Sequence, residues 1–338
     1  MGKAKYGVLL LNLGTPDSPE TSDVRKYLRE FLMDRRVIDI PAINRFFLIN
    51  LIIAPFRAPK SAKIYKELWT KEGSPLKTTS IKVEKLLQDS LGVDYHVVLG
   101  MRYQNPSIEV ALKKLENVGL EKIIIIPLYP QYASASTGSS HEEVMRIIKN
   151  WEIIPELRFL SEYSGNEQMV NIFAKLGRKY MAERKYDHFL FSYHGLPERQ
   201  ILKGSCNNYC KLSTCCNSFN QYNRFCYRAQ CFNTSRLLAK ALNLSEKEYT
   251  VSFQSRLGKT PWIKPYTDNT IKDLVKDGKL NVLCFSPSFV ADCLETTIEI
   301  GEEYKELFEK EGGKHWQLVE SLNTDPEWID CLATMVKN

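Results

Sequence analysis

Residues 6–16 read Tyr6-Gly7-Val8-Leu9-Leu10-Leu11-Asn12-Leu13-Gly14-Thr15-Pro16. An apolar run without alternating polar positions suits a short strand covered on both faces, and the Gly-Thr-Pro that follows stops it. The pattern recurs. Residues 96–101 run into Arg102-Tyr103-Gln104-Asn105-Pro106, and 122–128 precede Ala135-Ser136-Thr137-Gly138-Ser139-Ser140. In the second half, 188–193 lead into His194-Gly195-Leu196-Pro197, 249–253 into Gln254-Ser255-Arg256, and 280–285 into Ser286-Pro287-Ser288. Helical patterns lie between these runs. Val24, Tyr27, Leu28, Phe31 and Leu32 share one stripe of residues 23–33, and Ser140 with Glu143 has capping-box spacing before Val144, Ile147 and Ile148. The alternation predicts an α/β fold of parallel sheets flanked by helices, with the loops after the strands' carboxyl ends forming the ligand crevice.

The chain has 338 residues, more than the roughly 250 to 300 that one core usually serves. Two domains are expected, residues 1–170 and 171–338, with the junction near the polar stretch 164–168 and a last helix over about 316–335 that can pack back on the first domain. Hydrophobic residues at 43% and charged residues at 25% exclude a disordered, collagen-like or coiled-coil chain. A net charge of +6 suits an anionic ligand or membrane surface and gives little support to a nucleic-acid partner. The apolar run 8–11 is too short for a signal peptide. The most apolar window, 46–56, carries Phe46, Phe47, Leu48, Ile49, Leu51, Ile52, Ile53 and Phe56, and falls short of the ~20 residues a spanning helix needs. A cytoplasmic protein is expected, at most peripheral on a membrane; monomer and homodimer stay open.

Three groups of residues can carry chemistry. His194 ends a strand before a Gly-Leu-Pro turn, where a neutral imidazole either packs structurally, accepts a proton or ligates a metal. Glu295, Glu299 and Glu303 recur every four residues, so a helix would align them as a carboxylate ridge. Asp292 with Glu295 also has capping-box spacing, so a first turn that merely complements the helix dipole is the competing reading. Six of the nine cysteines fall within residues 206–231, namely Cys206, Cys210, Cys215, Cys216, Cys226 and Cys231. In a reducing compartment these are thiols or metal ligands, and their spacing serves structural zinc and an iron-sulfur centre equally.

Taken together, Gly7-Val8-Leu9-Leu10-Leu11-Asn12-Leu13-Gly14-Thr15-Pro16, Pro127-Leu128-Tyr129-Pro130-Gln131-Tyr132, Thr137-Gly138-Ser139-Ser140, Ser192-Tyr193-His194-Gly195-Leu196-Pro197, Phe253-Gln254-Ser255-Arg256, Pro261-Trp262 and Asp292-Cys293-Leu294-Glu295-Thr296 resemble the ferrochelatases. These enzymes insert ferrous iron into a porphyrin to make haem. The motifs stand in family order from residue 7 to about 330. The resemblance implies a chelatase fold of two similar α/β domains with the porphyrin in a cleft between them, protoporphyrin IX as acceptor and Fe2+ as substrate. It makes His194 and Glu295 the central pair, as catalytic groups and contacts of the substrate iron, with Glu299 and Glu303 continuing an acidic path. Leu13, Arg102, Tyr103 and Trp262 match positions flanking the macrocycle. Cys293 stands where relatives often carry a second histidine. Coproporphyrin as acceptor, and a haem-binding or iron-sulfur sensor protein without catalysis, are the competing readings.

The resemblance also bears on the cysteines and on the apolar window. Residues of about 205–226 are an insertion relative to many bacterial members. Animal-type members hold a [2Fe-2S] cluster on a carboxyl-terminal extension, with a further ligand at the place of Ser134. By analogy with bacterial members that hold it internally, Cys206, Cys210, Cys215 and Cys226 are the implied ligands, with Cys216 and Cys231 as alternates and structural zinc as the alternative occupant. Cys231 also matches a cysteine of relatives without a cluster, so a core role stays open. Residues 41–77 correspond to a lip over the active-site mouth, and Arg45, Arg57, Lys60 and Lys63 beside it suit anionic lipid.

Overall fold

A computed structural model describes residues 4–256, 258 and 260–338. The chain divides into two compact units: residues up to Tyr129 with Ser134–Ser161 and Asn323–Asn338 form the first, and Pro130–Ala133 with Glu162–Leu322 the second.

In the first unit β1 (Tyr6–Gly14), β2 (Tyr95–Tyr103), β3 (Lys122–Pro127) and β4 (Glu156–Phe159) make one parallel sheet in the order β2-β1-β3-β4. Val8 pairs with Val97 on one side and with Ile124 on the other. Its helices are α1 (Thr21–Met33), α2 (Ala42–Phe47), α3 (Ala54–Leu68), α4 (Pro75–Leu91), α5 (Ile108–Leu115) and α6 (Ser139–Ile148). The strand side chains go to both faces, as the unbroken apolar runs require. Leu9, Leu11, Val98 and Ile125 pack with Ile108, Ala111 and Leu112 of α5 and Val144 and Ile148 of α6. A second cluster joins Val24, Tyr27, Leu28 and Leu32 of α1 to Ile49, Ala58, Ala62 and Tyr103. Each such fully buried aliphatic side chain contributes about 1.5–3 kcal/mol over exposure.

The carboxyl end of β1 depends on Gly14. Its φ is +111°, and a Cβ there would sit 2.0 Å from the Tyr103 carbonyl oxygen. A glycine lets β1 finish against the end of β2, with Leu13 packed on the cluster that holds Tyr103.

The second unit repeats the plan. Its sheet contains β5 (His188–His194), β6 (Tyr249–Gln254), β7 (Asn281–Phe285) and β8 (His315–Leu318) in the order β6-β5-β7-β8. Its helices are α7 (Glu167–Glu183), α8 (Glu198–Lys203), α9 (Tyr227–Ala241), α10 (Thr267–Lys276) and α11 (Tyr304–Lys310). Leu190, Val282 and Cys284 pack with Ile271, Leu274, Ile300, Phe308 and Trp316. In both sheets the first strand of the unit lies between the second and the third, so β1 and β5 are the switch strands where such folds open their crevice.

Three expectations are corrected. Trp316 lies in strand β8, whereas the last helix, α12 (Pro326–Lys337), starts only where the Asp325 carboxylate accepts from the Glu327 N–H at 2.9 Å. That helix packs on α4 within the first unit. The Ser140 and Glu143 capping box does not form. A π-helical turn, Ser134–Gly138, feeds α6 directly, the Ser140 hydroxyl pairs with the Tyr129 hydroxyl at 2.5 Å, and Glu143 binds Arg146 at 2.7 Å. The carboxylate ridge lies on a π-helix, Glu295–Glu303, that continues as α11.

Candidate active site

His194 is the last residue of switch strand β5, and Glu295 opens the π-helix after the adjacent strand β7. Both belong to the second unit, with Glu299, Glu303 and Trp262. The His194 ring is half-buried, and its Nδ1 lies 2.7 Å from the carbonyl oxygen of Gly195. A carbonyl only accepts, so Nδ1 carries the hydrogen and the neutral ring keeps its lone pair on Nε2. That nitrogen is the one able to accept a proton or bind a metal.

Gln254 ties His194 to the acidic side. It pairs with His194 in register, its carbonyl accepts from the Gly195 N–H at 2.8 Å, and its amide takes the Ser192 hydroxyl at 2.8 Å. The amide nitrogen then donates to the Glu295 carbonyl at 3.1 Å and to Glu299 Oε2 at 3.0 Å. Glu299 also accepts from the Ser255 hydroxyl at 2.5 Å and from the Tyr304 hydroxyl at 3.2 Å. The Tyr304 contact reflects the wide π turn, in which residues five apart rather than four stack over one another. Burial and the Glu299 carboxylate push the Tyr304 phenol up, so it stays a donor. Cys293 is buried with its thiol bonded to Glu295; burial first and that carboxylate second hold the thiol far above its ordinary range. Glu303 at the far end is exposed, so the carboxylates grade from half-buried to solvent.

Trp262 packs beside Gly195, the residue after His194. It bridges to Pro197, and a Cβ on Gly195 would fall 3.2 Å from its ring. The remaining expected site residues lie in the first unit at the ends of β1 and β2. There Asp34, which the sequence reading did not single out, gathers Arg102 at 2.8 Å, the Tyr103 hydroxyl at 2.9 Å, the Ser139 hydroxyl and the Arg36 N–H at 2.7 Å. Burial would raise the Asp34 carboxyl, but these bonds together hold it below its ordinary value. Tyr103 is fully buried, with Arg102 4.7 Å over its ring. Asp34 was hidden because a single acid after a helix carries no signal of its partners. Gln254 and Ser255 were visible as a strand-end motif, though without a role.

Four of the clustered cysteines touch one another. Contacts run from Cys210 to Cys215, from Cys215 to Cys216 at 4.0 Å, and from Cys216 to Cys226. The Lys211 N–H donates to Cys215 Sγ at 3.2 Å and the Leu212 N–H to Cys210 Sγ at 3.4 Å. Cys226 is the N-cap of α9; its bond with Cys216, joined by the N–H groups of Ala229 and Arg228, draws the thiol below its ordinary value. Cys206, one of the four expected ligands, is exposed and takes no part in these contacts, and Cys231 is buried within α9. Among the described residues no group of three or more His, Cys, Asp or Glu side chains is arranged to hold a metal ion.

Solved structures share this architecture. SirB from Bacillus subtilis with Fe3+ superposes with a TM-score of 0.58 at 12% identity, covering 98% of this chain and 94% of that one. CbiX, described as the terminal enzyme for biosynthesis of siroheme in denitrifying bacteria, gives 0.50 at 11% identity over 98% of both chains. The fold is thus of the chelatase class. The ferrochelatase family model matches residues 5–338. The ferrochelatase of Legionella pneumophila (strain Paris) is 47% identical over 332 residues, 98% of each chain, and that of Coxiella burnetii (strain Dugway 5J108-111) is 45% identical over 336 residues, covering 98% of this chain and 93% of that protein. The chain belongs to the ferrochelatase family.

Proposed function

We propose that this protein inserts ferrous iron into protoporphyrin IX, releasing two protons and forming protohaem in the final step of haem biosynthesis. One observation carries the reading: Nδ1 of His194 is committed to the Gly195 carbonyl, which leaves Nε2 as a lone-pair acceptor at the end of the switch strand. In metallation each of two pyrrole N–H bonds breaks, its proton goes to a base, and the electron pair stays on nitrogen to bind iron. No electron is transferred. His194 Nε2 takes the two protons one at a time, handing the first to the acidic path before it takes the second; while unprotonated, the same lone pair and the Glu295 carboxylate are the groups offered to the substrate iron. Glu299 and Glu303 lead charge away towards solvent, with Glu299 held in line by Gln254, Ser255 and Tyr304. Leu13, Arg102, Tyr103 and Trp262 are assigned to the macrocycle's surroundings on the family resemblance, which for Trp262 is supported by its packing beside Gly195, next to His194.

The apolar stretch 43–56 supports the less polar porphyrin and a peripheral membrane contact. Ile43, Phe46, Phe47, Leu51, Ile52 and Phe56 are all exposed, Phe56 at 74%, while Arg57, Lys60 and Lys63 flank them. Arg45 is otherwise engaged, donating to the carbonyls of Ile38 and Ile40. Among the described residues no helix is long and apolar enough to cross a membrane.

A [2Fe-2S] centre is assigned to the cysteine segment on the family resemblance, although among the described residues no group of three or more such side chains is arranged to hold a metal ion. Thiolate donors with main-chain N–H groups aimed at the sulfurs are what such a centre requires, and Cys210, Cys215, Cys216 and Cys226 would hold it. It would supply a one-electron redox centre, which iron insertion itself does not use. A visible chromophore with an EPR signal after reduction is expected; a colourless protein with one zinc per chain overturns this assignment. For the reaction, anaerobic Fe2+ insertion into protoporphyrin and coproporphyrin is compared. The proposal expects the higher kcat/KM with protoporphyrin and a collapse of kcat in Glu295→Gln. Preference for coproporphyrin overturns the substrate, and full activity of Glu295→Gln overturns the acidic path.

A further inference from the structure

The first two residues of α9 reach from the cysteine segment to the candidate base. Cys226 caps the helix, and Tyr227 follows it. The Tyr227 hydroxyl donates to the His194 carbonyl oxygen at 2.8 Å, with Ser288 at 3.3 Å on its other side. The ring is buried, and burial keeps the phenol protonated as a donor. Arg228 is buried too, and its fork spans two separate loops. Nη1 donates at 3.1 Å to the carbonyl of Ser213, which lies between Cys210 and Cys215. Nε and Nη2 donate at 3.3 and 3.2 Å to the carbonyl of Lys264, two residues beyond Trp262. Phe232 lies 4.5 Å under the guanidinium.

The Trp262 loop is in turn fastened to the strand end that carries His194. The Ile263 N–H donates to the Leu196 carbonyl and the Glu198 N–H to the Pro261 carbonyl, both at 3.0 Å. The cysteine segment is fastened to α9 and its approach as well. Arg236 holds the Cys216 carbonyl at 3.0 Å, and Asn223 holds that of Cys215 at 2.9 Å. A buried guanidinium is costly unless its donors are satisfied, and here they are met by carbonyls of these two loops together with the Cys216 thiol.

We propose that Tyr227 and Arg228 are positioning residues through which the cysteine segment holds His194 and the Trp262 loop in working geometry. The proposal rests on the assignment of His194 as the base. Any rearrangement that shifts Ser213 or Cys226 shifts the donors on the His194 and Lys264 carbonyls, and a misplacement of about 1 Å in an active site can cost about a hundredfold in rate.

Steady-state metallation of the full chain tests this, read together with thermal unfolding and visible absorption. Tyr227→Phe removes one hydroxyl, and kcat is expected to fall about tenfold with porphyrin KM within about twofold and the unfolding midpoint nearly unchanged. Arg228→Lys keeps the charge but cannot span two carbonyls, and the same split is expected. Cys216→Ser should lower kcat and alter the absorption. Combined with Tyr227→Phe it should lose less than the product of the single losses, because both act on one linkage. If Cys216→Ser does not fold, Cys210→Ser takes its place in the cycle. Wild-type kcat in Tyr227→Phe and Arg228→Lys, or losses that multiply in the double variant, overturn the proposal. His194→Ala separates the two levels: an active His194→Ala removes the base itself, whereas an inactive one beside a normal Tyr227→Phe removes only the linkage.

Discussion

At the scale of single residues, Gly195 does two things, the second of which requires a glycine. Its carbonyl fixes the His194 tautomer, and its missing side chain admits both the Gln254 carbonyl and the Trp262 ring. A Cβ would meet that oxygen at 2.7 Å and the ring at 3.2 Å. Gly195→Ala should cost about 1–3 kcal/mol by overpacking and lower kcat by displacing the imidazole. Denaturant unfolding and metallation kinetics measure both; a variant as stable and as fast as the parent contradicts this account. Two other histidines have no part in the chemistry but set the acid limit. Burial lowers His141 and His188 from 6.5 to about 4. The unfolded chain therefore binds more protons between those values, so stability is full above about pH 6.5 and falls as pH drops towards 4. The full change is about 3 kcal/mol for each ring. His141→Phe, packed on Phe159 and unable to protonate, should make the unfolding midpoint less sensitive across that window. An unchanged pH dependence argues against a neutral buried ring.

At the scale of elements, the π-helix and the apolar lip carry the most consequence. The lip presents one face and buries the other. Ile49 is fully buried against α1, although the sequence pattern alone put it among the lip's apolar residues, so it belongs to the core. Phe47→Ser, Leu51→Ser and Ile52→Ser together should abolish flotation with anionic liposomes and leave thermal stability unchanged, because these side chains are exposed. Unaltered flotation rules out docking through this face. The six longer strands were legible because a doubly covered strand carries an unbroken apolar run, as residues 8–11 and 189–191 do. Strands β4 and β8 were not, since four-residue strands such as Glu156–Phe159 and His315–Leu318 mix polar and apolar residues. The π-helix was hidden for a different reason. Turns closed at four or five residues accept the same acidic spacing, and it is the main-chain bonding, such as the Tyr304 N–H to the Glu299 carbonyl, that distinguishes them. Nor did cysteine spacing reveal that Cys216 joins the sulfur contacts and Cys206 does not, because loop curvature decides which thiols meet.

At the scale of the molecule, one strand order serves two units, and the second carries the proposed base, His194, at the end of its switch strand and the carboxylates Glu295, Glu299 and Glu303 after the neighbouring strand. The first unit instead spends its strand ends on the buried Asp34 network and supplies the exposed lip. A shared fold thus becomes specific through a few loops, and the proposed chemistry follows from the Nε2 lone pair of one imidazole. Single-turnover Fe2+ insertion into protoporphyrin by His194→Ala, compared with the parent at equal bound porphyrin, examines that lone pair most directly. The account predicts a rate at least about a hundredfold lower with porphyrin still bound, as loss of a general base requires. Insertion at the parent rate would contradict it.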